Sequence, residues 1–333
     1  MLILNKNDII QHVNLNKNLI PIIEEAFISL SKGLVMMPPI MRIDIEKYHG
    51  ESDVKAAYVE GLDSFAIKIA SGFFDNPKLG LPSSNGLMVL LDSKTGVVKS
   101  VLLDEGYLTD TRTAIAGAIA TKYLSNQNAN SVGIIGAGIQ AKLQLQAIML
   151  VRKINKIIVW ARDETKANQF IESFKNLDID LYIASSCKEL ASLSEIIVTT
   201  TPSKKPLLEF DWINKGTHIT AMGSDAEQKN ELDPQMLKHC DQYVPDNQLQ
   251  TSVLGELHHA LKQNIISSKE KFNELGDIIN DPSLGRKNKE DITICDLTGT
   301  GVQDTAIARF AYNLCKTNNC LLYTSPSPRD CRL

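Results

Sequence analysis

The chain has 333 residues, 43% of them hydrophobic, and a formal net charge of −4, which suits about two domains with sizeable cores. The mildly acidic balance and the lack of a basic stripe disfavour nucleic acid and anionic membrane as partners. Since the six cysteines lack metal-ligand spacing and neither a signal peptide nor a run of about 18 apolar residues is present, we expect a cytoplasmic, metal-free protein that acts on small molecules.

The N-terminal third predicts helices followed by a sheet. Residues 6–33 are helix-rich, with Ile23 and Phe27 on one apolar face and an end at Gly33. After Pro38, short β-branched and aliphatic runs separated by Gly, Asp, Asn and Pro predict an antiparallel sheet. These runs are MRIDI, DVKAAYVEGL, FAIKIASGF, GLMVLLDS and VVKSVLLDEG. A helix over 113–124 is predicted to follow.

The segment 131–147, SVGIIGAGIQAKLQLQA, is typical of a dinucleotide-binding βα unit. Gly136 permits the tight turn, Gly138 lets the backbone approach a pyrophosphate, and the small Ala141 lets the helix pack on its strand. The diphosphate would then bind at the helix N-terminus. A purely structural glycine turn is the alternative.

Strands and helical stretches alternate from 131 to about 223, which indicates a doubly wound sheet. Residues 228–292 look mostly helical and loop-like, and the strand ITICDL then leads into a helix over 302–316. We predict an α/β fold with a Rossmann-type doubly wound parallel sheet over 126–299. A second, α+β domain is predicted over 1–125 together with 300–319.

The last residues, CLLYTSPSPRDCRL, break from the helical pattern into a Ser-Pro run. They resemble translated sequencing-adaptor read-through, so 320–333 is predicted to be a non-native tail and is left out of the fold prediction.

The end of the second Rossmann strand, IIVWARD, bears on the choice of cofactor. An acidic residue there would bind a ribose 2′-hydroxyl, but the position holds Ala161 followed by Arg162. Arg162 can pair bidentately with a 2′-phosphate, so NADP(H) is favoured over NAD(H). The alternative is a solvated Arg162 with Asp163 binding the ribose.

Three cationic side chains in the first domain are candidates for binding an anionic group of a substrate or cofactor. Lys68 stands in the middle of the strand FAIKIA, where alternation points it either into a cleft or into solvent. Arg112 precedes an alanine-rich helix and suits a substrate carboxylate or a cofactor phosphate, with a salt bridge to Asp110 or Asp104 as the alternative. Arg42, in PPIMRIDI, poses the same choice.

Asp225 follows a predicted strand at its carboxyl end, where open α/β sheets hold their ligands. A carboxylate there can act as a general base. Capping of the following turn is its alternative role.

Together these segments resemble the ornithine cyclodeaminase and μ-crystallin family over nearly all of residues 1–319. The motifs that carry the resemblance are MPPIMR, FAIKIASGFFDNPKLGLPS, LLDEGYLTDTRTAIAG, GAGIQA, MGSDAEQKNELD and DLTGTGVQDTA. They look most similar to the ectoine-utilisation cyclodeaminase-like subgroup. The resemblance implies a nicotinamide domain and a substrate and dimerisation domain whose sheet pairs across two subunits, giving a homodimer with the active site beside the cofactor.

The resemblance also implies site residues. Asp225 and Lys68 would be catalytic, with Asp225 as the proton-transferring acid/base. The residues that would bind an amino-acid or imino-acid substrate are Arg42, Lys68, Arg112, Lys229, Leu297 and Thr298. The residues that would surround NAD(P) are Ser83, Arg112, Gly136, Gly138, Ile139, Gln140, Arg162, Thr201, Met222, Gly223 and Ser224.

The activity implied first is ornithine cyclodeamination, in which the amino acid is oxidised to an imine, the ring closes with loss of ammonia, and the hydride returns. Fixing both amines beside one cofactor makes the ring closure effectively intramolecular. The family's ornithine enzymes have a serine-valine pair where this chain has Leu297 and Thr298, which weakens the case for ornithine. The alternatives are an imino-acid reductase or amino-acid dehydrogenase, and an inactive dinucleotide-binding protein.

Overall fold

The computed structural model describes residues 1–317, and the predicted tail at 320–333 lies outside them. The helices are α1 Lys6–Ile10, α2 Ile20–Ser31, α3 Tyr107–Leu124, α4 Ile139–Ile148, α5 Glu164–Glu172, α6 Cys187–Leu193, α7 Gln235–His239, α8 Gln248–Thr251, α9 Glu256–Lys262, α10 Leu275–Asn280 and α11 Gly301–Thr317. The strands are β1 Leu2–Asn5, β2 Val35–Met36, β3 Met41–Ile45, β4 Gly50–Val59, β5 Ser64–Phe73, β6 Ser84–Asp92, β7 Val98–Leu103, β8 Ser131–Ile135, β9 Lys156–Trp160, β10 Asp180–Ile183, β11 Ile196–Thr199, β12 His218–Ala221, β13 Gln242–Pro245 and β14 Thr293–Asp296.

Contacts divide the chain into two compact units. Unit 1 comprises Met1–Leu15, Pro21–Arg112 and, of the described chain, residues 300–317. Unit 2 comprises Asn16–Ile20 and Thr113–Gly299. Each unit contains one sheet of seven strands.

The sheet of unit 1 has the order β1-β7-β6-β5-β4-β2, with β3 also paired to β4. Strands β2 to β7 pair in antiparallel fashion. The five predicted runs correspond to β3 to β7, whereas β2, with only two residues, was not predicted. Strand β1 pairs with β7 in parallel and was not predicted, because its four residues are too few to show an alternating pattern.

Helix α11 packs on β4 and β5 within unit 1. Thr305 Oγ1 donates a hydrogen bond to Ala57 O at 2.7 Å and accepts one from Ala66 N at 3.0 Å. At the start of the helix, a Cβ on Gly301 would come within 2.6 Å of Ala56 O, so only glycine allows this approach. The first turn of α11 is thereby held against the middle of the sheet.

Helix α3 begins at Tyr107, before the predicted start at residue 113. Glu105 and Gly106 form a turn with positive φ, and Asp104 Oδ2 accepts a hydrogen bond from Leu108 N at 2.7 Å. This carboxylate satisfies an amide that would otherwise be unpaired in the first turn. The polar segment before 113 is therefore helical.

The sheet of unit 2 is parallel and has the order β10-β9-β8-β11-β12-β14-β13, which confirms the predicted Rossmann-type α/β fold. The strand order reverses between β8 and β11, and this is the point at which doubly wound sheets bind ligands. The prediction of helix and loop over 228–292 missed β13, a four-residue edge strand that lies between two short helices.

Among residues 1–317, no helix is long and apolar enough to cross a membrane. The same residues contain no group of three His, Cys, Asp or Glu side chains that could hold a metal ion. The described cysteines, at positions 187, 240, 295 and 315, are free thiols.

Candidate active site

A buried cluster of charged side chains joins β5, α3 and α11 in unit 1. Lys68 Nζ lies 2.8 Å from Asp304 Oδ2, and Arg112 Nε lies 2.9 Å from Asp304 Oδ1. Arg112 Nη1 also donates to Gln303 Oε1 at 3.1 Å. The side chains of Lys68 and Asp304 are 2% and 0% exposed. Lys68 therefore points inward, which decides the question that strand alternation left open.

Burial and the neighbouring charges shift the pKa values of Lys68 and Asp304. Burial lowers the pKa of Lys68 to about 7, with Asp304 opposing this shift and Arg112 and Lys55 adding to it. Burial alone raises the pKa of Asp304, but Arg112 and Lys68 outweigh it and hold that pKa below its usual value. Asp304 stays ionised, while Lys68 changes charge near neutral pH.

Two further residues of this cluster were not predicted. Lys55 is buried and stands directly opposite Lys68 in the β4–β5 ladder. Asp104 is also buried, and burial raises its pKa to about 6, with Lys68 among the groups that oppose the shift. The buried cluster in unit 1 therefore comprises three cations and two carboxylates.

Arg42 lies on the same face of the sheet as Lys68, but three carboxylates surround it. Its Nε lies 3.0 Å from Asp44 and its Nη1 lies 3.4 Å from Asp53, and Glu51 contacts the Nη2 atom. Ser83 precedes β6, and its carbonyl accepts a hydrogen bond from Phe73 N at 2.8 Å. The substrate role of Arg42 and the cofactor role of Ser83 remain predictions.

In unit 2, the turn between β8 and α4 fits a dinucleotide diphosphate. Gly136 has a φ of 112°, and a Cβ there would lie 2.6 Å from Thr200 Oγ1, so the turn requires glycine. A Cβ on Gly138 would meet nothing within 4 Å, which leaves open space beside the backbone. Gly138 is the N-cap of α4 and supplies no side-chain cap. The first-turn amides, including those of Ile139 and Gln140, can therefore bind an anion.

The loops after β11 and β12 meet at the carboxyl edge of the same sheet. A Cβ on Gly223 would lie 2.1 Å from Thr201 O, so the two loops touch through a position that requires glycine. Met222 is buried, and its Sδ lies 2.7 Å from Gln144 Nε2 of α4. Within unit 2 the structure thus brings together Gly136, Gly138, Thr201, Met222 and Gly223.

Asp225 belongs to the turn that follows this edge. Its Oδ1 lies 2.7 Å from Lys229 Nζ, and its side chain is 40% exposed while that of Lys229 is buried. Ser224 is buried and its hydroxyl donates to the carbonyl of Lys229. The buried side chains of Ser224 and Lys229 hold this turn in place, while the carboxylate of Asp225 remains open to solvent.

Other predicted residues of unit 2 have local roles. Thr298 Oγ1 donates to Asp246 Oδ1 at 2.9 Å and accepts from Gln250 Nε2 at 2.8 Å, and Leu297 is buried. Arg162 is exposed and makes no hydrogen bond or ion pair with any residue of 1–317. Asp163 caps α5 by accepting from Thr165 N at 3.0 Å. The proposed ligand contacts of these residues remain predictions.

Sequence reasoning also missed Asp304 and Glu231. Both stand inside motifs that carry the family resemblance, DLTGTGVQDTA and MGSDAEQKNELD, which is the available signal for them. Asp304 joins two cations, and Glu231 is fully buried beneath the loops that contain Thr201 and Gly223.

Comparisons with known proteins agree with this fold. The uncharacterized cyclodeaminase y4tK of Sinorhizobium fredii is 51% identical over 94% of this chain and 95% of its own length. The structure of Thermococcus litoralis Δ1-pyrroline-2-carboxylate reductase in complex with NADH and L-proline has a TM-score of 0.89 at 30% identity, covering 96% of this chain and 98% of that one. An archaeal alanine dehydrogenase dimer with bound NAD has a TM-score of 0.87 at 32% identity, covering 96% and 97%.

The family model described as ornithine cyclodeaminase/mu-crystallin matches residues 1–319. Family members are NAD(P)-dependent oxidoreductases or cyclodeaminases. The match spans both units, so it rests on much more than the glycine-rich turn. The chain belongs to the ornithine cyclodeaminase/mu-crystallin family.

Proposed function

We propose that this protein is an NAD(P)-dependent enzyme that transfers a hydride to or from the α-carbon of a small amino or imino acid. The observation that carries the proposal is the pair of buried cations, Lys68 and Arg112, which share the single carboxylate of Asp304. A substrate carboxylate supplies a second anion to this pair. Such charge-assisted bonds are strong because the site is buried.

In this proposal, different groups transfer the proton and the hydride. Asp225, partly exposed and paired with Lys229, holds or releases the proton of the substrate nitrogen. The turn at Gly136 and Gly138 and the edge near Gly223 bind the dinucleotide. When bound, the nicotinamide supplies or accepts the hydride.

The position of Lys55 affects which substrate side chains the site favours. Since Lys55 is buried opposite Lys68, a second ammonium on the substrate would enter a region in which three cations, Lys55, Lys68 and Arg112, face two carboxylates, those of Asp304 and Asp104. Like charges repel strongly where water is excluded. We therefore place an imino-acid reductase or amino-acid dehydrogenase first. The second candidate is cyclodeamination of a diamino acid such as ornithine, which the likeness to y4tK supports.

A substrate panel tests the proposal. Purified protein is incubated with Δ1-pyrroline-2-carboxylate or with pyruvate and ammonia in the presence of NADH or NADPH, and separately with ornithine and catalytic NAD⁺. Stoichiometric loss of reduced cofactor supports the reductase or dehydrogenase. Equal amounts of proline and ammonia without net reduction support the cyclodeaminase. Dinucleotide binding without turnover in any arm would contradict both and favour an inactive binding protein.

Carboxylate binding is expected to weaken as the pH rises through about 7, because Lys68 loses its charge there. With the pKa of Lys68 at about 7 instead of 10.5, the lysine is charged below that pH and neutral above it. The dissociation constant for pyrrole-2-carboxylate, whose carboxylate stays ionised, should rise by up to about tenfold per pH unit until Arg112 alone binds it. Isothermal titration calorimetry between pH 6.5 and 9 measures this.

The control for this experiment is Lys68→Arg. An arginine stays charged throughout the range, so its binding of pyrrole-2-carboxylate should be independent of pH above 7. Asp104, whose pKa is about 6, changes charge at lower pH and does not affect the pH dependence of binding above 7. If both proteins lost affinity for pyrrole-2-carboxylate equally above pH 7, a group other than Lys68 would be responsible.

NADP(H) is the cofactor that the exposed guanidinium of Arg162 favours. Arg162→Ala should weaken NADPH binding by about 10–100-fold, the value of a charge-assisted bond, while NADH affinity changes little. Fluorescence titration with both nucleotides measures this. Lys175→Ala, which removes a cation beyond the other end of α5, is the control. If Arg162→Ala weakened the binding of NADH and NADPH equally, Arg162 would not recognise the 2′-phosphate, and Asp163 or another group would bind the ribose.

We also propose that unit 1 forms a homodimer through the sheet face opposite Lys68. Met41, Ile43, Tyr58 and Ile69 are exposed on that face, and an apolar patch of this kind is unusual on a monomer. The alanine dehydrogenase relative is a dimer. Sedimentation equilibrium tests this, and a monomer mass at micromolar concentration would contradict it.

A further inference from the structure

The buried carboxylate of Glu231 ties together the two loops at the carboxyl edge of unit 2. Its Oε1 accepts hydrogen bonds from Thr201 N at 2.6 Å and from Thr201 Oγ1 at 2.7 Å. Its Oε2 accepts from Gly223 N at 2.8 Å and from Thr199 Oγ1 at 2.6 Å. Each oxygen thus holds one backbone amide and one hydroxyl, and the two amides belong to different loops.

Glu231 is itself held in place by a second buried carboxylate. Glu256 Oε1 accepts from Glu231 N at 2.9 Å, and its Oε2 accepts from Leu232 N at 3.1 Å. The N-terminus of α9, which carries Glu256, is fixed in turn by Asp296 at the end of β14. Asp296 Oδ2 accepts from Glu256 N at 2.9 Å and from Tyr243 Oη at 2.7 Å.

Three carboxylates therefore form a connected path from the end of β14 to the loops after β11 and β12. No lysine or arginine within 1–317 forms an ion pair with Glu231, and the amides and hydroxyls of the loops oppose the rise in its pKa that burial causes. Buried carboxylates are costly unless they are fully hydrogen-bonded. An apolar side chain at this position would leave the amides of Thr201 and Gly223 without an acceptor, so the carboxylate is what joins the two loops.

We propose that Glu231 is a positioning residue for dinucleotide binding, which holds the loop of Thr201 and the loop of Gly223 at the separation that the nicotinamide half of the cofactor requires. The inference rests on the proposed function, since it takes this edge to be the cofactor site. The open space at Gly138 and the tight contact at Gly223 belong to the same sheet edge. Glu231 thus acts through the loops and not by touching the substrate.

Glu231→Gln separates positioning from simple packing. A glutamine has nearly the same shape, but its amide nitrogen must occupy one of the two oxygen positions. Whichever position it takes, it faces a backbone N–H donor, of either Thr201 or Gly223, so one loop loses its acceptor. The matched control is Thr199→Val, which removes one hydrogen bond to Glu231 from within β11 and leaves both loop amides paired.

We expect Glu231→Gln to weaken NADH binding by at least about tenfold, the value of one lost loop contact, and to speed hydrogen exchange at the amides of Thr201 and Gly223. Thr199→Val should lower the thermal midpoint but keep NADH affinity and loop exchange near those of the wild type. Equal NADH affinity and equal loop exchange in the two variants would overturn the proposal.

If Glu231→Gln fails to fold, it is replaced by Glu231→Asp, which keeps the carboxyl group but is one methylene too short to reach both loops. It should show faster exchange at one loop amide or both, and wild-type exchange and NADH affinity in this variant would overturn the proposal. If the wild type binds neither NADH nor NADPH, the proposed function fails. Hydrogen exchange then still decides whether Glu231 orders the two loops.

Discussion

Replacing Asp225 by asparagine is expected to lower turnover by about 100-fold or more, the usual contribution of a general acid or base. The affinity for NADH should be nearly unchanged, because asparagine keeps the shape of the turn and still accepts a hydrogen bond from Lys229. Steady-state kcat with the substrate identified in the panel, together with a direct NADH titration, separates the two effects.

Glu227→Gln is the control for this experiment. Glu227 lies two residues further along the same turn, and its side chain is 68% exposed, so the same chemical change there should leave kcat near the wild-type value. An unchanged kcat in Asp225→Asn would remove Asp225 from the mechanism. A parallel loss in both variants would show that the turn responds to its total charge.

The second large effect is expected on stability. Asp304→Asn leaves Lys68 and Arg112 buried without their carboxylate, and breaking such a pair costs about 3–5 kcal/mol. Thermal unfolding of unit 1 should shift down by roughly 6–20 °C. Differential scanning calorimetry measures this shift. Pyrrole-2-carboxylate should stabilise the variant more than the wild type, because it supplies the missing anion.

Asp63→Asn is the matched control in the same unit. Asp63 also contacts two cations, Lys99 at 3.0 Å and Arg309, but its side chain is 67% exposed. Exposed ion pairs contribute no more than about 1 kcal/mol, so this variant should unfold close to the wild type. If Asp304→Asn were as stable as Asp63→Asn, the cluster would be no more than a solvated charge network.

The fold was largely predictable because it depends on local patterns. The apolar runs between turn residues predict the antiparallel sheet of unit 1, and the alternation after residue 131 predicts the parallel sheet of unit 2. Strands β1 and β13, with four residues each, were missed since pairing partners far along the chain create them. The early start of α3 depends on a cap at Asp104 that alternation does not report.

The candidate site was less predictable, for a related reason. Lys68 and Arg112 are visible as unusual cations in their segments, but the carboxylate that joins them, Asp304, is 192 residues beyond Arg112. Its position in a first helical turn is also that of an ordinary N-terminal acidic residue. Lys55 and Glu231 likewise look like surface charges in sequence, and only strand register and burial reveal them.

The place of Asp304 in α11 has a consequence for the order in which the protein is made. Domains tend to fold as they leave the ribosome, N-terminal parts first. The strands that carry Lys55 and Lys68 emerge long before α11, so for most of synthesis these lysines have no Asp304 to pair with. Burying them then is unfavourable. The face of the sheet that carries them must therefore stay hydrated until α11 is made, and during translation unit 2 can be complete before unit 1.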